Sequence, residues 1–205
     1  MAGEQVSVPV QRKKGRNMTP LEEIVSHLKA GDVVGFPTDT VYGCGVSIRD
    51  AKSASILNAF KKRDLDQPVQ WLIPSVEDVK KYASEIPSYA NDLIDEGWPG
   101  GLTLIFKSND NVPEGFRTKD LTVAMRLPKC ACVRKVMNVL GCPIAASSAN
   151  FTGENPPQFK DDVSKEFMES LPYALTCLHG QCKDASGIPS TIIDCTGDSP
   201  KVIRK

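Results

Sequence analysis

Hydrophobic and polar positions along the chain follow two periods, and the segments that they define alternate. Apolar residues at helical spacing follow a capping pattern of Thr19, Pro20 and Glu22, and this pattern stops at Gly31. Short apolar runs bounded by turn residues, which are typical of buried strands, separate the helical segments. The alternation predicts an α/β fold with a mixed sheet, antiparallel where strands follow each other closely.

The pattern divides most of the chain into elements. The predicted helices cover residues 20–30, 50–60 with Asp50 as the cap, 75–82 with Ser75 as the cap, 88–96, 131–140 and 162–170. The predicted strands cover residues 33–36, 69–73, 102–106, 122–127, 142–146, 174–178, 190–194 and 201–204.

Length and charge limit the range of functions. The 205 residues fit one domain, and 25 basic residues balance 25 acidic ones, so any anion site must be a local patch. The chain has neither an apolar run of membrane-spanning length nor a signal-peptide pattern, which predicts a cytoplasmic protein without membrane contact. Residues 1–17 are predicted to form a flexible basic tail. An RNA contact is one interpretation of this tail, and a solvated tail is the simpler one.

Seven cysteines are present, and their spacing does not match that of zinc fingers. They are expected to be buried free thiols in a reducing compartment. The sequence therefore predicts no tightly held protein metal site.

Polar side chains stand where predicted strands or helices end. They are Thr38, Thr40, Lys61, Arg63, Arg126, Ser148 and Asn150. Each alone is more simply a turn, a helix-dipole contact or a surface ion pair. Together they match a polyphosphate, held by Lys and Arg, and a carboxylate partner for Arg126. Because alternate residues of a strand face opposite sides, Ser147 is expected to point away from this site.

The polar set contains no nucleophile with an adjacent base, and the chain contains neither a Walker A motif nor Gly-x-Gly-x-x-Gly. An enzyme with these residues would act by positioning its substrates and stabilising charge.

An ordered set of motifs resembles the YrdC/TsaC family over about residues 19–205. The motifs are residues 37–45, Lys61 and Arg63 with Pro68, residues 98–104, 126–128, 143–150 with Gly153, and 186–191. The resemblance implies a twisted open mixed sheet with flanking helices and a concave basic cavity. It also implies the single-domain form, with residues 18–205 as the catalytic domain.

The resemblance implies the synthesis of L-threonylcarbamoyladenylate from L-threonine, bicarbonate or CO2, and ATP, with release of pyrophosphate. Mg²⁺ is expected to arrive on the ATP phosphates. The product would serve a separate threonylcarbamoyl transferase complex, which makes N6-threonylcarbamoyladenosine at position 37 of tRNA.

Site residues follow from the matched motifs. Lys61 and Arg63 are implied as catalytic residues. The implied ATP-binding residues are Lys61, Arg63, Ser148 and Asn150, and the implied threonine-binding residues are Thr38, Thr40, Arg126 and Ser190.

One departure from the family pattern is Gln70-Trp71, where Trp71 is expected to narrow or reshape the threonine pocket. Two alternatives stay open: an RNA-binding YrdC-like protein without adenylation, and a paralogue that acts on another carbamoylated substrate.

Overall fold

A computed structural model describes residues 17–178 and 182–205, so residues 1–16 of the predicted tail lie outside the described residues. The helices are α1 Pro20–Ala30, α2 Ser55–Phe60, α3 Glu77–Tyr82, α4 Ser88–Gly97, α5 Ala131–Leu140 and α6 Lys165–Ser170, with 3₁₀ turns at Glu114–Phe116 and Lys160–Asp162. The strands are β1 Val34–Phe36, β2 Gly43–Ser47, β3 Gln70–Leu72, β4 Leu102–Lys107, β5 Thr122–Arg126, β6 Ile144–Ser148, β7 Tyr173–Ala174, β8 Thr191–Asp194 and β9 Lys201–Arg204.

The ends of α1 and α5 agree with the sequence prediction. The Thr19 hydroxyl accepts the Glu22 backbone N–H, and the Glu22 carboxylate accepts the Thr19 N–H, which completes the capping box. Gly31 and Gly141 end the two helices with φ angles of 83° and 78°, a left-handed conformation that favours glycine.

Two predicted helix starts are wrong. Helix α2 begins at Ser55 rather than at Asp50, because the Asp50 carboxylate accepts hydrogen bonds from the Ser47 hydroxyl and the Arg49 side chain instead of capping a helix. Helix α3 begins after Val76 without a side-chain cap, since the Ser75 hydroxyl donates to the carboxylate of Asp78.

The nine strands of the described chain form one mixed sheet in the order β7-β1-β2-β6-β3-β5-β4-β8-β9. Strands β3 and β5 are parallel, as are β4 and β8, whereas β6 is antiparallel to both β2 and β3. Helices α1 and α5 flank the sheet and contact each other. The predicted α/β class with a mixed open sheet is confirmed. None of the helices in the described residues is long and apolar enough to cross a membrane.

The register of the sheet separates polar from apolar side chains on the central strands. Trp71 pairs with Met125 and Ala145 on the neighbouring strands, and all three are fully or almost fully buried. The Trp71 ring packs edge-on against Tyr82 and Phe116, with centroid distances of 5.2 and 6.1 Å. The face of the sheet that carries Trp71 therefore packs into the core, and Gln70 points to the opposite face.

Truncation of the central aromatic side chain tests this core. We expect Trp71→Ala to lower the free energy of unfolding by about 3–5 kcal/mol, because it leaves a large buried cavity. Val139→Ala, a truncation of a half-exposed side chain on α5, is the control and is expected to change stability by less than about 0.5 kcal/mol. Urea denaturation measures both variants, and equal losses would contradict the placement of Trp71.

Candidate functional site

A cavity of about 250 Å³ lies over the polar face of the sheet and reaches the carboxyl end of β6. Arg63, Arg126 and Arg204 line it, and no carboxylate from the described parts of the chain does. The other polar residues of the lining are Thr40, Gln67, Gln70, Ser147, Ser148 and Ser190. The predicted concave basic cavity is thereby confirmed, and its charge favours an anionic ligand.

Arg126, at the end of β5, connects several segments beneath the cavity. Its Nη1 donates to the hydroxyl of Thr40 at 2.7 Å, and its Nε donates to the carbonyl of Gly100 at 2.8 Å. Its Nη2 lies 2.8 Å from Oδ1 of Asp39, as an ion pair without hydrogen-bond alignment. Burial lowers the pKa of Arg126, and Asp39 opposes that shift. The guanidinium is 2% exposed, so its partners fix its position.

The two predicted threonines have different places. The Thr38 hydroxyl donates to the carbonyl of Val41 at 2.7 Å and accepts the backbone N–H groups of Thr40 and Val41. Thr38 thus shapes the turn and does not line the cavity. Thr40 lines the cavity beside Arg126.

Arg63 enters the cavity from the segment after α2. Its Nε donates to Oδ1 of Asn58 at 2.8 Å, and its Nη1 lies 3.5 Å from the hydroxyl of Ser147. Its Nη2 is buried and has no hydrogen-bond partner among the described residues. Burial lowers the pKa of Arg63. The expectation that Ser147 points away from the site is wrong, because Arg63 approaches the strand end on the Ser147 side and both line the cavity.

Lys61 lies behind the cavity wall rather than on it. It is 3% exposed, and its ammonium group donates to the main-chain carbonyls of Ser148 and Asn150. The Asn150 amide donates to the carbonyls of Phe151 and Glu154, and its Oδ1 is buried without a partner among the described residues. Burial lowers the pKa of Lys61. Lys61 and Asn150 therefore hold the loop that carries Ser148, and their direct contact with a nucleotide stays a prediction.

Ser190 belongs to a hydroxyl and amide cluster at the other end of the cavity. Its Oγ lies 2.8 Å from Oγ1 of Thr103, and both hydroxyls donate to Oε1 of Gln70, at 3.3 and 2.9 Å. Arg204 donates to the carbonyl of Ser190 through Nε and Nη2. The sequence analysis assigned no role to Thr103, although it lies within the motif of residues 98–104, and it missed Arg204, which no motif marks. Only the sheet register brings both residues to Ser190.

The expected narrowing of the pocket by Trp71 is wrong. Successive residues of β3 face opposite sides, so Gln70 lines the cavity while Trp71 is in the core. Of this unusual pair, the Gln70 amide lies in the cavity lining and the Trp71 indole does not.

The described cavity lining contains no nucleophile with an adjacent base. Cys44 lies on β2 beside β6 and is buried, and burial raises its pKa to about 11, so the thiol is protonated at neutral pH. His27 contacts Asp32 at 2.8 Å and does not line the cavity. The arrangement is suited to positioning and charge stabilisation rather than to covalent catalysis.

A double-mutant cycle of Asp39→Ala and Arg126→Ala tests the buried ion pair. We expect a coupling energy above about 1 kcal/mol, because removing one partner leaves the other poorly solvated. The matched control is the pair of Asp66 and Lys119, which is equally short at 2.7 Å but exposed. Solvent screening should make the control coupling much smaller. Thermal or urea denaturation measures both cycles, and couplings of similar size would contradict this account.

The sequence model of the Sua5/YciO/YrdC family, described as "Telomere recombination", matches residues 26–205. A threonylcarbamoyl-AMP synthase of Pyrococcus abyssi is 33% identical over 177 residues, which are 86% of this chain and 51% of that protein. A putative threonylcarbamoyl-AMP synthase of Mycobacterium tuberculosis is 31% identical over 196 residues, which are 96% of this chain and 86% of that protein.

Solved structures agree with the sequence matches. The crystal structure of P. abyssi Sua5 complexed with L-threonine superposes with a TM-score of 0.81 at 30% identity, and the match covers 92% of this chain and 55% of that one. The chain therefore spans about half of the Pyrococcus protein. The family match over most of the chain, together with the likeness in structure, shows that this protein belongs to the Sua5/YciO/YrdC family.

Proposed function

We propose that the protein is an L-threonylcarbamoyladenylate synthase, which joins L-threonine, bicarbonate or CO2, and ATP and releases pyrophosphate. Both relatives described above carry the name threonylcarbamoyl-AMP synthase, one of them as putative. The observation that carries the proposal is a cavity whose described lining has three arginines and no carboxylate, and in which Nη2 of Arg63 is buried without a hydrogen-bond partner among the described residues. A buried donor without an acceptor favours a ligand that supplies one.

The ATP phosphates are assigned to the end of the cavity that holds Arg63 and Ser148. Nη2 of Arg63 offers a donor to a phosphate oxygen, and the nearby hydroxyls of Ser147 and Ser148 are neutral donors. Two of the three N–H groups of Lys61 go to main-chain carbonyls, so its main role here is to hold this wall and to add positive charge behind it.

Threonine is assigned to the end of the cavity that holds Arg126, Thr40 and Ser190. Arg126 supplies the positive charge for the substrate carboxylate. The cluster of Ser190, Thr103 and Gln70 offers hydroxyl and amide groups for the amine and hydroxyl of the substrate. Thr38 acts on threonine through the turn that positions Thr40.

The proposed chemistry is attack of a carbamate oxygen of N-carboxythreonine on the α-phosphorus of ATP, with pyrophosphate as the leaving group. Fixed guanidinium groups stabilise the charge that moves onto pyrophosphate. Mg²⁺ would arrive with the ATP phosphates, since no described carboxylate lines the cavity to hold it. A cavity that restricts water protects the unstable carbamate.

A separate threonylcarbamoyl transferase complex acting on tRNA is the proposed consumer of the product. We propose a cytoplasmic location for this role, since ATP and tRNA are present there. Because the net charge of the chain is balanced, it does not favour contacts with many tRNA phosphates at once. A direct tRNA contact would therefore need a local patch of basic residues.

Substrate-dependent pyrophosphate release tests the proposed reaction. We expect release from ATP only when L-threonine and bicarbonate are both present, because the carbamate is the nucleophile. Serine and carbamoyl phosphate are the comparison substrates, and a preference for either would favour the paralogue alternative. Pyrophosphate release without threonine would contradict the proposal. Tight tRNA binding without any pyrophosphate release would favour the RNA-binding alternative.

Replacement of a single cavity cation tests the assignment of the phosphate end. We expect Arg63→Ala to lower kcat/KM by at least about a hundredfold without unfolding the protein, because a donor to the transferred charge is lost. Lys62→Ala is the control, since Lys62 is exposed and pairs with Glu166 outside the cavity. Its kcat/KM should stay near the wild-type value. Unchanged turnover in Arg63→Ala would refute the assignment.

A further inference from the structure

Four thiols come together in the described residues, away from the arginine cavity. The Sγ atoms of Cys130 and Cys182 are 3.3 Å apart, those of Cys132 and Cys182 are 3.1 Å apart, and those of Cys132 and Cys177 are 3.5 Å apart. Cys130, Cys132 and Cys182 all lie within 4.8 Å of one another. This cluster has no part in the proposed reaction, and its members come from two distant parts of the chain.

Two elements bring the thiols together. Cys130 is the N-cap residue of α5 and Cys132 lies in its first turn, so both face the positive end of the helix dipole. Cys177 and Cys182 belong to the segment that follows β7. The backbone N–H of Leu178 donates to Sγ of Cys132 at 3.3 Å. Zinc binds the thiolate form of cysteine, and a backbone N–H donor next to the sulfur stabilises a metal-bound thiolate.

We propose that Cys130, Cys132, Cys177 and Cys182 bind one zinc ion as a tetrahedral four-thiolate site. Four thiolates at Zn–S distances of about 2.3 Å stand about 3.8 Å apart. The three contacting pairs therefore need to widen by several tenths of an ångström, whereas Cys177, which lies outside the group of three whose sulfurs are all within 4.8 Å of one another, has to move closer to the others. The backbone N–H of Leu178, which donates to Sγ of Cys132, supplies the outer hydrogen bond that metal-bound sulfur usually accepts.

The geometry favours this assignment over a disulfide. A disulfide has its sulfurs about 2.05 Å apart, and the described pairs are all longer by more than 1 Å. Cys132 and Cys182 each contact more than one other thiol, whereas a disulfide joins two. Thiols that each contact several others are better arranged to bind one metal ion together than to form separate disulfide bonds.

Zinc binding to the cluster displaces the thiol protons, so the affinity for zinc should fall as the pH is lowered. With four protein ligands the site is closed to substrate and is structural rather than catalytic.

The site would hold the wall of the reaction cavity from behind. The Cys130 sulfur lies 3.4 Å from the carbonyl of Pro37, directly before the threonine-bearing turn, so zinc binding would fix Cys130 beside this turn although its S–H donor would be lost. Beyond Cys182, the N–H groups of Ser186 and Gly187 donate to the carbonyls of Asp39 and Thr40. One zinc ion would therefore tie α5 and the segment after β7 to the loop that positions Thr40 and Arg126.

Zinc content of the full chain tests the proposal. We expect about one zinc ion per chain when the protein is purified under reducing conditions with zinc present. The double variant Cys177→Ser/Cys182→Ser should bind zinc at least about tenfold more weakly, measured by competition with a chromogenic chelator. Both positions are only half-buried, so the variant is expected to fold. The control is Cys142→Ala/Cys195→Ala, which removes two buried thiols outside the cluster and should keep the zinc.

A second measurement identifies the ligands. With Co²⁺ in place of zinc, the wild-type chain should give a thiolate-to-metal charge-transfer band and the strong visible bands of tetrahedral cobalt, and the Cys177→Ser/Cys182→Ser variant should lose both. The proposal would be overturned if the reduced wild-type chain bound no added zinc, or if the cluster variant bound it as tightly as the control. A stable disulfide between cluster cysteines in the zinc-treated protein would overturn it as well.

Discussion

The buried guanidinium of Arg126 is the interaction on which the site depends. Three chain segments meet at this one side chain, since it contacts Asp39, Thr40 and the carbonyl of Gly100 while it forms the end of β5. A charge that is 2% exposed is costly unless it is paired, so these partners must be in place for the fold to be stable. The same constraint fixes the threonine end of the cavity before any substrate binds, which reduces the entropic cost of positioning.

The opposite end of the cavity is built on a similar plan. Lys61 is turned into the protein, where it holds the main chain around Ser148, while Nη2 of Arg63 has no hydrogen-bond partner within residues 17–178 and 182–205. The two positive charges have different roles. Lys61, behind the cavity wall, stabilises the loop, and Arg63, on the cavity surface, is available to bind the ligand.

Local patterns in the sequence predicted a good part of this structure, and long-range packing determined the rest. The capping box at Thr19 and the turn at Gly141 depend on near neighbours and were predicted correctly. Asp50 failed as a cap because Ser47 and Arg49 compete for its carboxylate. The family motifs indicated Arg63 and Ser148, but alternation along an isolated strand misplaced Ser147, and the direction of Trp71 follows from the sheet register. The contact between Cys130 and Cys182 likewise cannot be predicted from their spacing in the sequence, because it depends on how α5 packs against the segment after β7.

The central claim is that one arginine-rich cavity holds the ATP phosphates at Arg63 and Ser148 and threonine at Arg126 and Ser190. A crystal structure with L-threonine and a non-hydrolysable ATP analogue tests this claim most directly. The account predicts a phosphate oxygen within hydrogen-bond distance of Nη2 of Arg63 and the threonine carboxylate beside Arg126, with the α-phosphorus facing the threonine amine. A nucleotide bound outside this cavity, or threonine at the Arg63 end, would contradict it.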